Sequence, residues 1–273
     1  CKKVFILVPS NLLRTQTVIN CSNLGILKDI GVIDSKAKLP NVLCLCSCPP
    51  TESDLERLID KSNIIVTTAS LVGRFSDTYM EILSNKCDTF IVDEAHHAAA
   101  PTYRKILDYF TGAKRILGFT ATPKRGDNVG LSCVFDDIIF SRDIRWGIAH
   151  QYLSRIRCEA IRAAYSLDHI EKTNGDYSAS QIERLFLGED VTVIPTAARA
   201  YLEKCHNTGR HTLIYCVTKR ISRVLLETIR KMLPENEKEQ VQAVFGDTSD
   251  EERAKILSDF QDGAVRCLSL IHI

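Results

Sequence analysis

No stretch of this 273-residue chain approaches the roughly 18 uninterrupted apolar residues that a membrane helix needs, and no charged-then-apolar leader opens it. The expectation is a chain that neither spans a membrane nor carries an export signal. An excess of one charge is missing too, because Lys+Arg 35 against Asp+Glu 34 leaves a formal net charge of +1. A protein-wide field that gathers nucleic acid is excluded, so any such partner must be held by a local patch. The 11 cysteines lack the even spacing of a secreted disulfide framework. They read as reduced, mostly buried thiols of an intracellular compartment. Internal repeats and low-complexity tracts are absent, and Trp146 is the single tryptophan.

What remains is globular: 45% hydrophobic and 25% charged residues, in a length that suggests two domains at about 150 residues each. Position 1 is Cys, Lys2 to Val8 enters directly as a strand, and Arg266 to Ile273 ends while still strand-like. The sequence therefore reads as an internal fragment of something longer. Short β-branched runs at Val4 to Val8, Val42 to Cys46, Ile64 to Val66, Thr89 to Val92 and Ile116 to Phe119 read as buried strands. Leu55, Leu58 and Ile59, after the start signal Thr51-Glu52-Ser53-Asp54, give an amphipathic helix, and Tyr103 to Phe110 gives another. Strand and helix in alternation predict a parallel α/β sheet.

From Ser141 to about Asp190 that rhythm is lost. The expected organisation is a first domain over 1–142, a connecting segment over 143–190, and a second α/β domain over 191–273. The last opens with a helix from Thr196 to Cys205, a strand from Thr212 to Cys216 and a helix from Lys219 to Leu233 that Pro234 ends. A strand Val241 to Phe245 runs into Gly246-Asp247-Thr248, where Thr248 and Glu251 predict a capping box for a helix burying Ala254, Leu257 and Phe260.

The most informative segment is Phe90-Ile91-Val92-Asp93-Glu94-Ala95-His96-His97, an apolar strand ending in two adjacent carboxylates. Ligand sites of open α/β sheets lie at strand carboxyl ends. There one acid, Asp93, can hold a magnesium ion through water while the other, Glu94, orients or deprotonates an attacking water. Strand-end surface charge is the bland alternative for an Asp-Glu pair alone. Downstream, Gly118-Phe119-Thr120-Ala121-Thr122-Pro123 ends another strand in small hydroxyl side chains. Upstream, Val8-Pro9-Ser10 and Val66-Thr67-Thr68-Ala69-Ser70 are strand ends whose hydroxyls and N–H groups can meet phosphates.

In this order and spacing the segments resemble the superfamily 2 helicases and translocases of the DExH type, in the branch that includes type III restriction subunits and Ssl2-like DNA translocases. A finer likeness is to the fungal mitochondrial helicases acting on branched DNA. The resemblance runs from Val4 to Leu268. It implies two truncated RecA-like domains, ATP and magnesium as cofactors, and nucleic acid, DNA before RNA, as partner. Pro9 to Gln16 correspond to motif Ia, Val66 to Leu71 to motif Ib, Asp93 to His96 to motif II, and Thr120, Ala121 and Thr122 to motif III. Leu213 to Val217, with Tyr215 and Cys216, look like motif IV. On this basis Asp93, Glu94 and His96 are catalytic, with Asp93 at the metal, and Thr120, Ala121 and Thr122 couple the site to the strand-binding surface. Pro9, Arg14, Thr67, Thr68, Tyr215 and Cys216 would then bind nucleic acid, through its sugar-phosphate backbone.

Departures accompany the matches. No Gly-rich loop ending in Gly-Lys-Ser/Thr occurs in the chain, nor do motifs V and VI, and Ser269-Leu270-Ile271-His272-Ile273 leave the family pattern. The expectation is an ATP-dependent DNA helicase as parent, in the mitochondrial matrix or the nucleus, with this fragment inactive alone. An RNA helicase of the same superfamily and a non-catalytic nucleic-acid-binding module are the alternatives. Arg14, Arg74, Lys124 and Arg125 are candidate phosphate contacts, against scattered surface charge. Trp146 and Tyr152 read as a local core. His96 and His97 lack the spacing for a shared zinc. Cys44, Cys46 and Cys48 read as one buried strand face whose residues stand roughly 6.6 Å apart, too far for zinc.

Overall fold

The computed structural model describes residues 3–112, 115–122, 131–163, 165–173, 176–188 and 192–271. Pro123, Lys124 and Arg125, together with His272 and Ile273, lie outside the described residues. The chain divides into two compact units, the first ending at Leu153 and the second beginning at Ser154. That division falls inside the stretch 143–190.

In the first unit β1 (Val4–Val8), β2 (Val42–Cys44), β3 (Ile64–Thr68), β4 (Thr89–Asp93) and β5 (Arg115–Phe119) form an all-parallel sheet in the order β2-β3-β1-β4-β5. Crossovers are made by α1 (Asn11–Asn23), α2 (Gly25–Asp29), α3 (Glu52–Asp60), α4 (Ala69–Val72), α5 (Asp77–Lys86) and α6 (Pro101–Tyr109). Successive residues of β1 point to opposite faces, and both faces are covered. Phe5 and Leu7 join Leu55, Ile59, Leu83, Phe90 and Phe110 on one side, while Ile6 and Val8 pack with Val66, Leu13 and Val18 on the other. A strand buried on both faces has to be continuously apolar, which is why β1 was legible as a run. Thr51 caps α3 by accepting the Asp54 N–H, and Leu55 and Ile59 are fully buried while Leu58 is exposed. Lys3 Nζ donates to the carbonyls of Ile59, Asp60 and Ser62 at 2.6, 3.2 and 2.8 Å, closing the C-terminal end of α3 with a cation. α7 (Ile144–Ala149) completes the unit, and Trp146 stacks on His150 and Tyr152.

In the second unit a two-residue antiparallel ladder, β6 (Lys172–Thr173) with β7 (Asp176–Tyr177), precedes α8 (Ala179–Phe186) and α9 (Val193–Lys204). A parallel sheet follows in the order β8-β10-β9, from β8 (Thr212–Cys216), β9 (Val241–Val244) and β10 (Cys267–Ile271), with α10 (Lys219–Met232) and α11 (Asp250–Gln261) as crossovers. α9 starts three residues before the expected Thr196. Pro195 is accommodated in its first turn, where a missing N–H costs nothing.

Two expectations are corrected at α11. Its cap is Ser249, which accepts the Glu252 N–H, because the Thr248 hydroxyl already accepts the Phe245 N–H at 2.9 Å. Ala254 is exposed, and Leu257 and Phe260 are only half-buried. Ser269 to Ile271, which leave the expected pattern, form the central strand β10 with Cys267 and Leu268, and the Ser269 hydroxyl lies 2.8 Å from that of Ser222.

Candidate active site

Parallel pairing sets the carboxyl ends of β1, β3, β4 and β5 along one edge of the first sheet. Pro9 follows β1, Thr67 and Thr68 close β3, Asp93 closes β4 and Thr120 follows β5. Asp93 is in register with Phe119, so Glu94 and Thr120 leave the sheet side by side.

Glu94 adopts a left-handed φ of 49°, a costly conformation for a residue with a Cβ, and turns the chain sharply into the short 3-10 turn Ala95–His97. Asp93 Oδ1 accepts the Glu94 N–H at 3.0 Å, which fixes the first carboxylate at the strand end. The turn carries the His96 ring back toward β5. Its Nδ1 stands 3.1 Å from Thr120 Oγ1, 3.3 Å from Thr122 Oγ1 and 3.2 Å from Glu94 Oε2. Thr120 Oγ1 in turn accepts the Thr122 N–H at 3.1 Å, folding the hydroxyl turn on itself with Ala121 exposed between its neighbours.

Close approach of β5 makes this geometry possible. A Cβ added at Gly118 would come within 2.8 Å of Ala95 Cβ and 2.5 Å of the Phe135 ring, so only glycine lets the 3-10 turn lie against the strand. Behind the turn the His97 ring stacks on Tyr103 at 6.1 Å. Burial first, and the Asp93 charge second, push the Tyr103 phenol up to about 12, so it faces the site as a neutral hydroxyl. Sequence reading missed Gly118 and Tyr103; the Gly-Phe-Thr run was visible, but a close approach is not written in composition.

Asp93 and Glu94 supply hard carboxylate oxygens, the donor type suited to magnesium that keeps several of its waters. Among the described residues no group of three or more His, Cys, Asp or Glu is placed to hold a metal ion. None of the described helices is long and apolar enough to cross a membrane.

The residues expected to touch nucleic acid are not all available for it. Thr67 is fully buried and its hydroxyl donates to the Leu45 carbonyl at 3.1 Å, while the buried Thr68 hydroxyl pairs with Ser70 at 3.1 Å. Their place in β3, next to the central β1, turns both inward. Cys216 is also buried, its sulfur 3.7 Å from the Ser269 hydroxyl, whereas its neighbour Tyr215 is 69% exposed. The two-residue period of a strand requires this split. Pro9 sits at the strand edge, Arg74 is exposed, and Arg14 lies on α1 with Nε buried and without a hydrogen-bond partner.

In the second unit the Gly-Asp-Thr turn is tied down by basic side chains that were not singled out for that role. Lys219 pairs with Asp247 at 3.0 Å and holds its carboxyl below the usual carboxylate range. Arg253 donates to the Phe245 and Thr248 carbonyls at 3.0 and 3.4 Å, and Arg223 lies over the Phe245 ring at 5.5 Å.

Parallel α/β units thus carry Asp-Glu-Ala-His at the end of one strand, with His96 within hydrogen-bond distance of the Thr-Ala-Thr turn that follows another. Residues 1–125 match the family model for the res subunit of type III restriction enzymes, and residues 195–272 match the helicase conserved C-terminal domain. The chain belongs to the superfamily 2 helicases of the type III restriction and Ssl2-like kind. The second match includes Ser269 to His272, which corrects the expectation that these residues fall outside the family.

IRC3 of Saccharomyces cerevisiae, provisionally named an ATP-dependent helicase, is 26% identical over 216 residues, covering 77% of this chain and 30% of that protein. Its Schizosaccharomyces pombe namesake, provisionally named a mitochondrial ATP-dependent helicase, is 28% identical over 202 residues, covering 72% and 32%. The chain thus spans about a third of the length of the curated relatives it matches. Among solved structures, the Mycobacterium smegmatis helicase Lhr bound to single-stranded DNA and AMP-PNP aligns with a TM-score of 0.53 at 16% identity. That alignment covers 99% of this chain and 34% of Lhr. The likeness establishes the fold, two RecA-like α/β units.

Proposed function

We propose that this chain is the motor portion of an ATP-dependent DNA helicase or translocase, in which hydrolysis of magnesium-bound ATP drives movement on DNA. The observation that carries the proposal is the position of His96, whose Nδ1 reaches the Glu94 carboxylate and both hydroxyls of the Thr120 turn. A ring nitrogen bearing hydrogen donates to the carboxylate or to a threonine oxygen; a bare one accepts from a threonine O–H. The cluster therefore has two hydrogen-bond arrangements, and changing one side resets the other.

In this reading Asp93 holds magnesium through water and Glu94 orients or deprotonates the attacking water. When bound, the metal neutralises charge on the phosphates. His96 reports the state of Glu94 to Thr120 and Thr122, and Ala121 keeps that turn small. Arg14, Pro9 and Tyr215 are left to meet the nucleic-acid backbone, since the hydroxyls of Thr67 and Thr68 are spent inside the fold. The Gly-Lys-Ser/Thr loop is not in these 273 residues. Turnover is accordingly assigned to the complete protein, and this chain alone is expected to be inactive. The mitochondrial name of the fission-yeast relative favours the mitochondrial matrix over the nucleus.

Matched forked duplexes of DNA and of RNA, offered to the complete protein with ATP and magnesium, test the proposal. Turnover stimulated by DNA and unwinding of the DNA fork are expected. Stimulation by RNA alone would favour the RNA helicase reading, and binding without turnover on either fork would favour a non-catalytic module.

A further inference from the structure

β2 is an edge strand and stops at Cys44, so Cys44, Cys46 and Cys48 do not form the buried strand face expected of them. Cys46 and Cys48 are exposed and Cys44 is half-buried. Leu45 explains the departure. Its N–H donates to the Val66 carbonyl at 3.0 Å, its carbonyl accepts the Thr67 hydroxyl at 3.1 Å, and its side chain is buried. Held at both backbone groups, Leu45 is a pivot whose two neighbours come together on its outer side. Cys44 Sγ stands 3.3 Å from Cys46 Sγ, not the roughly 6.6 Å of an extended strand. Arg14, on α1, brings a positive charge near the Cys44 sulfur.

We propose that Cys44 and Cys46 form a reversible thiol–disulfide site, closed by hydrogen peroxide and reopened by a small-molecule thiol. Closing needs the sulfurs to approach by roughly 1.3 Å, from 3.3 Å to the ordinary S–S length of about 2.05 Å. Burial and the neighbouring Cys46 push the Cys44 thiol up, with Arg14 opposing them, so the exposed Cys46 is the first attacker and Cys44 the resolver. The Cys46 thiolate attacks one peroxide oxygen, the O–O bond breaks, and the departing hydroxide takes the thiol proton as water. The Cys44 sulfur then attacks the resulting sulfenic sulfur, the S–O bond breaks, and hydroxide leaves with the Cys44 proton as a second water. Two thiols lose two electrons and two protons, and one peroxide becomes two waters. Exposed disulfides of this kind are the labile ones, readily returned to thiols.

Trypsin releases all three cysteines on one peptide, Leu39 to Arg57. The folded chain is treated with peroxide, its remaining thiols are alkylated, and this peptide is weighed. The expected result is alkylation at Cys48 only, with the mass of two hydrogens lost from Cys44 and Cys46, and full alkylation after dithiothreitol. Cys46→Ser should leave Cys44 open to alkylation after the same treatment, while Cys48→Ser should keep the bond, with circular dichroism confirming that each variant is folded. Three alkylated cysteines after peroxide, a bridge that uses Cys48, or only bridges between chains would overturn the proposal.

Discussion

Glu94→Gln in the complete protein is expected to lower DNA-stimulated ATP turnover by about 10²- to 10⁴-fold, the range that a positioned general base contributes. The amide keeps the size of the carboxylate and its reach toward His96 but cannot take a proton. Glu94 is also held beside the histidine that the proposal links to it. Its backbone is in the left-handed region directly after β4, and its carboxylate stands 3.2 Å from His96 Nδ1. ATP affinity should change little, because the substitution leaves Asp93 and its bond to the Glu94 N–H in place. Turnover read by phosphate release, beside ATP binding read by fluorescence, separates the two effects. A variant that hydrolyses ATP at the unsubstituted rate would remove Glu94 from the chemistry.

Phe90→Ala should destabilise the first unit by about 3–5 kcal/mol, the usual cost of deleting a buried phenyl ring. Phe90 is fully buried in β4, stacked on Phe110 at 4.3 Å and tilted against Phe5 at 5.3 Å. Alanine would leave a cavity between the Phe5 and Phe110 rings that cannot collapse, since Phe5 is fixed in the central strand. On a typical domain stability of about 5–15 kcal/mol that is a large fraction. Thermal denaturation followed by circular dichroism should show the first transition lowered by roughly 6–20 °C. Because Phe90 lies three residues before Asp93 on the same strand, the carboxylates lose their alignment as β4 loosens. An unchanged transition would mean that this aromatic cluster does not hold the sheet together.

β1 was legible because a parallel strand buried on both faces must be a short, continuous apolar run; β8 also falls on the expected residues, although its Leu213 and Tyr215 are exposed. The end of β4 was legible because an apolar run breaks there into two adjacent acids, and the strand does end at Asp93. Side-chain direction was harder to read. Thr67 and Thr68 sit at a strand end, as a phosphate-binding pair would, but both face inward because helices cover both sides of β3. The end of β2 depended on an edge the sequence does not mark, so Cys44 and Cys46 were placed apart when they touch. The cap of α11 slipped by one residue because Thr248 and Ser249 are chemically equivalent as caps, and only the turn before them decides which hydroxyl is free.

The direct measurement of the link between the acids and the hydroxyl turn is DNA stimulation of ATP turnover in the complete protein carrying Thr120→Val together with Thr122→Val. Valine keeps the branched shape and removes both hydroxyls from His96. Turnover without DNA should persist while its stimulation by DNA drops by about fivefold or more, the scale of a coupling free energy between sites. Stimulation equal to that of the unsubstituted protein would contradict the account.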